Sequence, residues 1–92
     1  VLDRENKIAY ACLSPRTDIQ VLNDWCNKAG FRPVAFTSVD SKGDPIYHTN
    51  VMMCIADQFA VICLDSIPDE TEKRSVIETL KDTKKEIIEI SF

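Results

Sequence analysis

Ala9-Tyr10-Ala11-Cys12-Leu13 has a counterpart in Ala60-Val61-Ile62-Cys63-Leu64, where alanine, cysteine and leucine recur at the same places, each 51 positions further on. Both are short apolar runs of the length of a buried strand, and both are followed by the same order of signals. After the first, read as a strand over Lys7 to Leu13, Ser14-Pro15-Arg16-Thr17 is a turn with helix-start chemistry, and Thr17 with Gln20 is spaced as a capping box. Ile19, Leu22 and Cys26, with Val21, Trp25 and Ala29, follow three- and four-residue spacing. They predict one apolar stripe on a helix that stops at Gly30. Arg32 to Val39, with Pro33 near its start, reads as a returning strand. After the second run, a strand over Phe59 to Leu64, Pro68 and Asp69 open a helix, Asp69 and Glu72 form another cap-like pair, and Val76, Ile77 and Leu80 make the buried stripe. Glu86 to Ser91 then alternates as a final strand. A further strand, Val51 to Ile55, turning at Asp57-Gln58, precedes the second run. The expected fold class is therefore α/β, built from ββαβ repeats: repeat 1 at about 1–40, a loop at 41–50 and repeat 2 at about 51–92.

Composition narrows the function classes. Fifteen acidic against eleven basic side chains give a net charge of −4 without any basic run, so nucleic acid is not an expected partner. The longest apolar stretches are far below the roughly 20 residues that cross a bilayer, and the chain reads as soluble with no membrane partner. Val1-Leu2-Asp3-Arg4-Glu5-Asn6-Lys7 has no cationic segment followed by an apolar one, so no signal peptide is expected. The four cysteines, at 12, 26, 54 and 63, include no Cys-x-x-Cys pair, and a single histidine cannot complete a zinc site, so neither metal nor cofactor is expected. Cys12, Cys54 and Cys63 lie in apolar runs and Cys26 on the apolar side of a helix, where thiols act as small hydrophobes. With two glycines and four prolines the chain is not a loop-rich disulfide scaffold, and a reducing cytoplasm fits it best.

The loop Ser41-Lys42-Gly43-Asp44-Pro45 delivers the chain to Tyr47-His48-Thr49-Asn50-Val51-Met52-Met53, which holds the only histidine. Taken alone, His48 fits either a hydrogen-bonded structural side chain or an acid/base group titrating near neutrality. Asn50 fits a turn or strand-entry residue. Met52 and Met53 read as core filler on opposite faces of a strand. Arg16 reads as a solvated cap residue and is left out of the site. The charges at Asp69 to Arg74 and Lys81 to Glu86 read as the wet side of the second helix and its exit loop.

The histidine heptad, with Phe59-Ala60-Val61-Ile62-Cys63-Leu64 behind it, resembles the guanidine-modifying (pentein) enzymes, and within them the amidinotransferase-like branch that includes citrulline-utilising hydrolases. The resemblance implies a five-bladed α/β propeller of ββαβ units. This chain would supply about two of the blades, as a fragment of a single catalytic domain, with Val1 to Glu5 finishing the first strand of one blade and Val51 to Phe92 forming another. The rest of the same polypeptide, or another chain, would complete it. The resemblance further implies a cysteine-dependent hydrolase acting on a ureido or guanidino amino acid through a covalent intermediate, with His48 as the catalytic acid/base. An imidazole titrating at about 6.5 suits protonation of the departing amine and then deprotonation of water. Arginine deiminases carry aspartate two residues after this histidine, where this chain has Asn50. A carboxylate suits a donor-only guanidinium, whereas an amide answers the mixed donors and acceptor of a ureido group, so Asn50 is the expected substrate-binding residue and citrulline the favoured substrate. The nucleophilic cysteine is expected outside these residues, leaving the isolated chain inactive. Cys54, nearest to His48 in sequence, would sit about 20 Å away on an extended strand. The alternative from another class is a non-enzymatic small α/β binding or regulatory module, since ββαβ units serve both ends. A pentein fold without catalysis is a third reading.

Overall fold

Backbone hydrogen bonds along the two apolar runs sort the chain into two three-stranded sheets of the same topology. The computed structural model describes residues 1–13, 18–46 and 48–91. In the first sheet β1 (Leu2–Asp3) pairs antiparallel with β2 (Ile8–Cys12), which pairs parallel with β3 (Arg32–Phe36) after the crossover helix α1 (Ile19–Ala29). In the second, β4 (Met53–Ile55) pairs antiparallel with β5 (Phe59–Ile62), which pairs parallel with β6 (Glu86–Glu89) after α2 (Glu70–Asp82). Ala9 lies between Leu2 and Pro33, and Ala60 between Ile55 and Ile87, so the two alanines hold equivalent positions. The helix starts keep the same 51-residue offset, at Ile19 and Glu70, each behind an aspartate N-cap, Asp18 and Asp69.

The caps differ from the expected capping boxes. Asp18 caps α1 by accepting the Gln20 N–H at 2.7 Å; Thr17 lies outside the described residues. The Asp69 carboxylate accepts the N–H groups of Thr71 and Glu72. The Glu72 carboxylate, however, does not return to its own N-terminus. It accepts the Thr37 N–H at 2.8 Å, just past β3, because α2 packs against both β3 and β6. Gly30 ends α1 as read from the sequence: at φ 76° its N–H reaches the Cys26 carbonyl, a left-handed conformation that glycine adopts without a Cβ clash.

The apolar stripe expected on α1 is mostly uncovered. Only Cys26 is buried, while Ile19, Val21 and Trp25 are exposed, with the Trp25 ring 5.3 Å from that of Phe31. The helix packs against β3, whose side chains alternating with buried Val34 and Phe36 are the short Pro33 and Ala35. The core lies on the other face. Ile8, Tyr10, Cys12, Val34 and Phe36 meet Met53, Ala60 and Ile62 of the second sheet and Val76 and Leu80 of α2. Polar ties close one end of this seam: Ser38 Oγ donates to Ser66 Oγ, and Ser66 Oγ to the Cys63 carbonyl. Met52 and Met53 are both buried, against the expected alternation, because Met52 ends a 3-10 turn and only Met53 belongs to a strand.

The second sheet does not cover the face that corresponds to the core face of the first. Ile8 is buried but its counterpart Phe59 is exposed. Val34, beside Tyr10, is buried, whereas Ile88, beside Val61, is 42 % exposed. Ile90 continues this apolar face. No helix among the described residues is long and apolar enough to cross a membrane.

Candidate functional site

The loop after β3 is a pinned hairpin. The Asp40 carboxylate accepts the N–H groups of Lys42 and Asp44, Gly43 takes the positive φ of 85° that the turn needs, and Val39 bridges to Pro45. Ile46 then donates to the Ser38 carbonyl, which returns the chain to the carboxyl ends of β2 and β3. Tyr47 lies outside the described residues.

His48 follows with extended backbone (φ −120°, ψ 116°) and heads a 3-10 turn over Thr49–Val51. The turn is closed by Val51 N–H to the His48 carbonyl at 3.0 Å and Met52 N–H to the Thr49 carbonyl at 3.1 Å. Thr49 Oγ1 accepts the Cys12 N–H at 3.0 Å and so fastens the turn to the end of β2, where the ladder leaves that donor to be satisfied. His48 and Asn50 are exposed, with half-buried Thr49 between them. The expected strand over Val51 to Ile55 is thus shortened to Met53–Ile55, and the expected extended path from His48 to Cys54 does not exist. A 3-10 turn rises about 2 Å per residue against about 3.3 Å in a strand.

Asn50 lines a groove of about 140 Å³ together with Val51, Met52, Met53, Cys54, Val61 and Ile90. His48 is not part of that lining. A second concavity, of about 420 Å³, lies between the hairpin ends of the two sheets and is lined by Glu5, Asn6, Asp57, Gln58, Asp82, Thr83 and Lys84. It contains neither histidine nor cysteine.

All four cysteines are free thiols. Cys12, Cys26 and Cys63 are buried, and burial pushes the thiols of Cys12 and Cys26 up, for Cys12 against the lowering effect of hydrogen bonds from Thr49 and Ser38. Neither is an activated nucleophile. Cys54 is exposed, contrary to the burial expected for an apolar run, because its neighbours Met53 and Ile55 take the inner side of β4 and alternation turns residue 54 outward. No hydrogen bond among the described residues joins the His48 ring to a cysteine sulfur. Nor does any group of His, Cys, Asp or Glu among them form a metal cluster. Arg16 lies outside the described residues.

The structure therefore brings His48 and Asn50 to one exposed turn at the sheet ends, and among the described residues no thiol is hydrogen-bonded to the imidazole, although the exposed Cys54 lines the Asn50 groove. An imidazole held there can take or give a proton to a ligand. Sequence reasoning missed Thr49, Ser38 and Ser66, which tie this turn and the two sheets together. The Thr49 hydroxyl stands inside the histidine heptad, whereas nothing in the sequence marks the two serines as partners.

Among known proteins, the family described as N,N dimethylarginine dimethylhydrolase, eukaryotic, matches residues 1–92. Comparison with curated proteins and with solved structures gives no match. A match along every residue, on a chain that repeats ββαβ, decides the family: this chain belongs to the eukaryotic N,N dimethylarginine dimethylhydrolases, pentein-type hydrolases that act on C–N bonds of small guanidino amino acids.

Proposed function

We propose that this chain is part of a cysteine-dependent hydrolase that cleaves the C–N bond at the central carbon of a guanidino or ureido amino acid. His48 transfers the protons. The observation that carries this reading is an exposed imidazole on a turn pinned at both ends, by the hairpin of Asp40 before it and by Thr49 to β2 after it. In the reaction a thiolate attacks the central carbon, His48 protonates the amine that leaves, and the neutral imidazole then takes a proton from the water that releases the product. Cys12, Cys26 and Cys63 are buried, and the exposed Cys54 lines a groove that His48 does not reach, which supports a nucleophile supplied by a residue outside these 92. Asn50 reads the ureido oxygen and nitrogen, which arrive with citrulline as substrate or are created when the guanidine of N,N-dimethylarginine is hydrolysed. The family match favours this hydrolase over a non-enzymatic binding module.

The uncovered face of Phe59, Ile88 and Ile90 supports completion of the propeller by further ββαβ units, from the same polypeptide or another chain. Four free thiols support a reducing compartment, the cytoplasm. The decisive assay gives the full-length protein N,N-dimethylarginine, arginine, citrulline and agmatine, with His48→Ala as the control. Turnover of none of them, or turnover that survives loss of His48, refutes the reading.

A further inference from the structure

The segment that carries His48 has few attachments of its own. Its 3-10 turn is closed by two backbone hydrogen bonds, and such short turns are not stable in isolation. Among the described residues, Met52 anchors the end of the turn in the core, with its carbonyl accepting the Cys63 N–H at 2.8 Å, and the side-chain hydrogen bond nearest to His48 is that of Thr49. Oγ1 of this residue accepts the Cys12 N–H at 3.0 Å across 37 positions of sequence, and the hydroxyl also stands beside the Cys12 thiol. Cys12 is buried in the core, its thiol also under the influence of the Ser38 hydroxyl, which bonds to Ser66 in the turn that follows the second sheet's middle strand. Thr49, Cys12, Ser38 and Ser66 thus form a set of polar groups at the end of the first sheet, one residue from the histidine in sequence at Thr49.

We propose that Thr49 is a positioning residue for the reaction: its hydroxyl, by accepting the Cys12 amide, fixes the turn that holds the His48 imidazole against the reacting carbon. The inference rests on the reading of His48 as the proton-transfer group. A threonine suits the task because its branched Cβ restricts χ1, so the oxygen that meets Cys12 also sets the backbone direction of the turn. Valine has the same shape without an acceptor. Serine keeps the acceptor without the methyl.

The test uses the full-length protein, with kcat and KM measured on N,N-dimethylarginine and on citrulline for the unaltered chain, Thr49→Val, Thr49→Ser and His48→Ala. Thr49→Val is expected to lower kcat by about 10- to 100-fold with KM within about twofold, since the group it displaces acts on protons and does not bind substrate. Thr49→Ser is expected to recover kcat to within a few fold. A merely structural role would lower the thermal midpoint and the active fraction, but leave kcat per active site unchanged in Thr49→Val. That result overturns the proposal. Should Thr49→Val fail to fold, amide exchange in the unaltered protein decides: a Cys12 amide as protected as the β2 ladder supports the tether, and one that exchanges as freely as an unbonded, exposed amide overturns it. Activity retained by His48→Ala, or no turnover of either compound by the unaltered protein, sinks the underlying reading. Full loss in His48→Ala with none in Thr49→Val sinks this inference alone.

Discussion

The Asp3 carboxylate lies 3.6 Å from the Lys85 ammonium, and both side chains are almost fully shielded from solvent, at 3 % and 1 % exposure. Each has further partners. Asp3 accepts the backbone N–H and side-chain amide of Asn6, and Lys85 donates to the Asp57 carbonyl at 2.8 Å. The pair therefore clasps the hairpin of the first sheet to that of the second. Lys85→Met leaves the Asp3 charge buried without its cation, and is expected to cost about 3–5 kcal/mol in urea unfolding. Adding Asp3→Asn should recover much of that loss. Equal cost in the single and double variants would show that the two charges do not act as a pair.

Tyr10 is fully buried, and its hydroxyl has no hydrogen-bond partner among the described residues. Burial, reinforced by Asp3 and opposed by Arg32, pushes its ionisation up to about 12. A hydroxyl that ionises near 10 when unfolded and near 12 when folded adds no pH dependence below pH 10. Stability then falls as pH rises from about 10 through 12, where the unfolded chain loses the proton first. Tyr10→Phe should remove that slope and leave stability near pH 7 equal or higher, because an unpartnered buried polar group is lost. A variant less stable at pH 7 would mean that the hydroxyl has a partner such as a buried water.

Aspartate N-caps sit at equivalent places in the two passes, and Asp69 takes two amide hydrogens where Asp18 takes one. Asp69→Ala should cost about 1–2 kcal/mol and Asp18→Ala about 0.5–1 kcal/mol, measured by thermal or urea unfolding. α2 is also the helix whose Val76 and Leu80 are fully buried, so its fraying opens the core. The reverse order would show that α1 contributes more than its exposed stripe suggests.

On the proposed function, His48→Ala should abolish turnover in the full-length protein with little change in thermal midpoint, since the ring is exposed. Asn50→Asp should act on selectivity. A carboxylate gains a charge-assisted bond to a guanidinium worth about 1.5–3 kcal/mol and loses the amide donor to a ureido oxygen. The ratio of kcat/KM for arginine over citrulline should rise by about tenfold or more. Equal changes on both compounds would show that Asn50 does not read the substrate.

Two exposed apolar residues separate a covered face from a free one. If further ββαβ units seat on the second sheet, Ile88→Asp in the full-length protein should cost well over 1 kcal/mol, as a charge at a buried interface does. Val21→Asp, on the exposed side of α1, should stay within about 0.5 kcal/mol. Matching small effects at both positions would leave the second sheet open to solvent in the whole protein.

How the chain divides was legible in the residues themselves. The alanine, cysteine and leucine at 9, 12 and 13 and at 60, 63 and 64 marked two passes whose strands, helices and crossover order the structure repeats. Gly30 as a helix stop and Asp69 as a helix start were equally plain, because a left-handed residue and a carboxylate cap act on amides one turn away. His48 and Asn50 were singled out by the heptad that holds them. What local pattern could not decide was which stripe would be covered and where each polar side chain would end. Val21 and Trp25 have helical spacing but stay exposed, Trp25 meeting only the Phe31 ring among the described aromatics, and Cys54 faces outward while Met52 and Met53 both face in. Glu72 reaches Thr37 across 35 positions, Ser38 reaches Ser66 across 28, and the amide of Cys12 reaches Thr49 across 37. Such bonds join segments distant in sequence and form only on tertiary closure, so packing decided where the locally closed turn that carries the histidine is fastened.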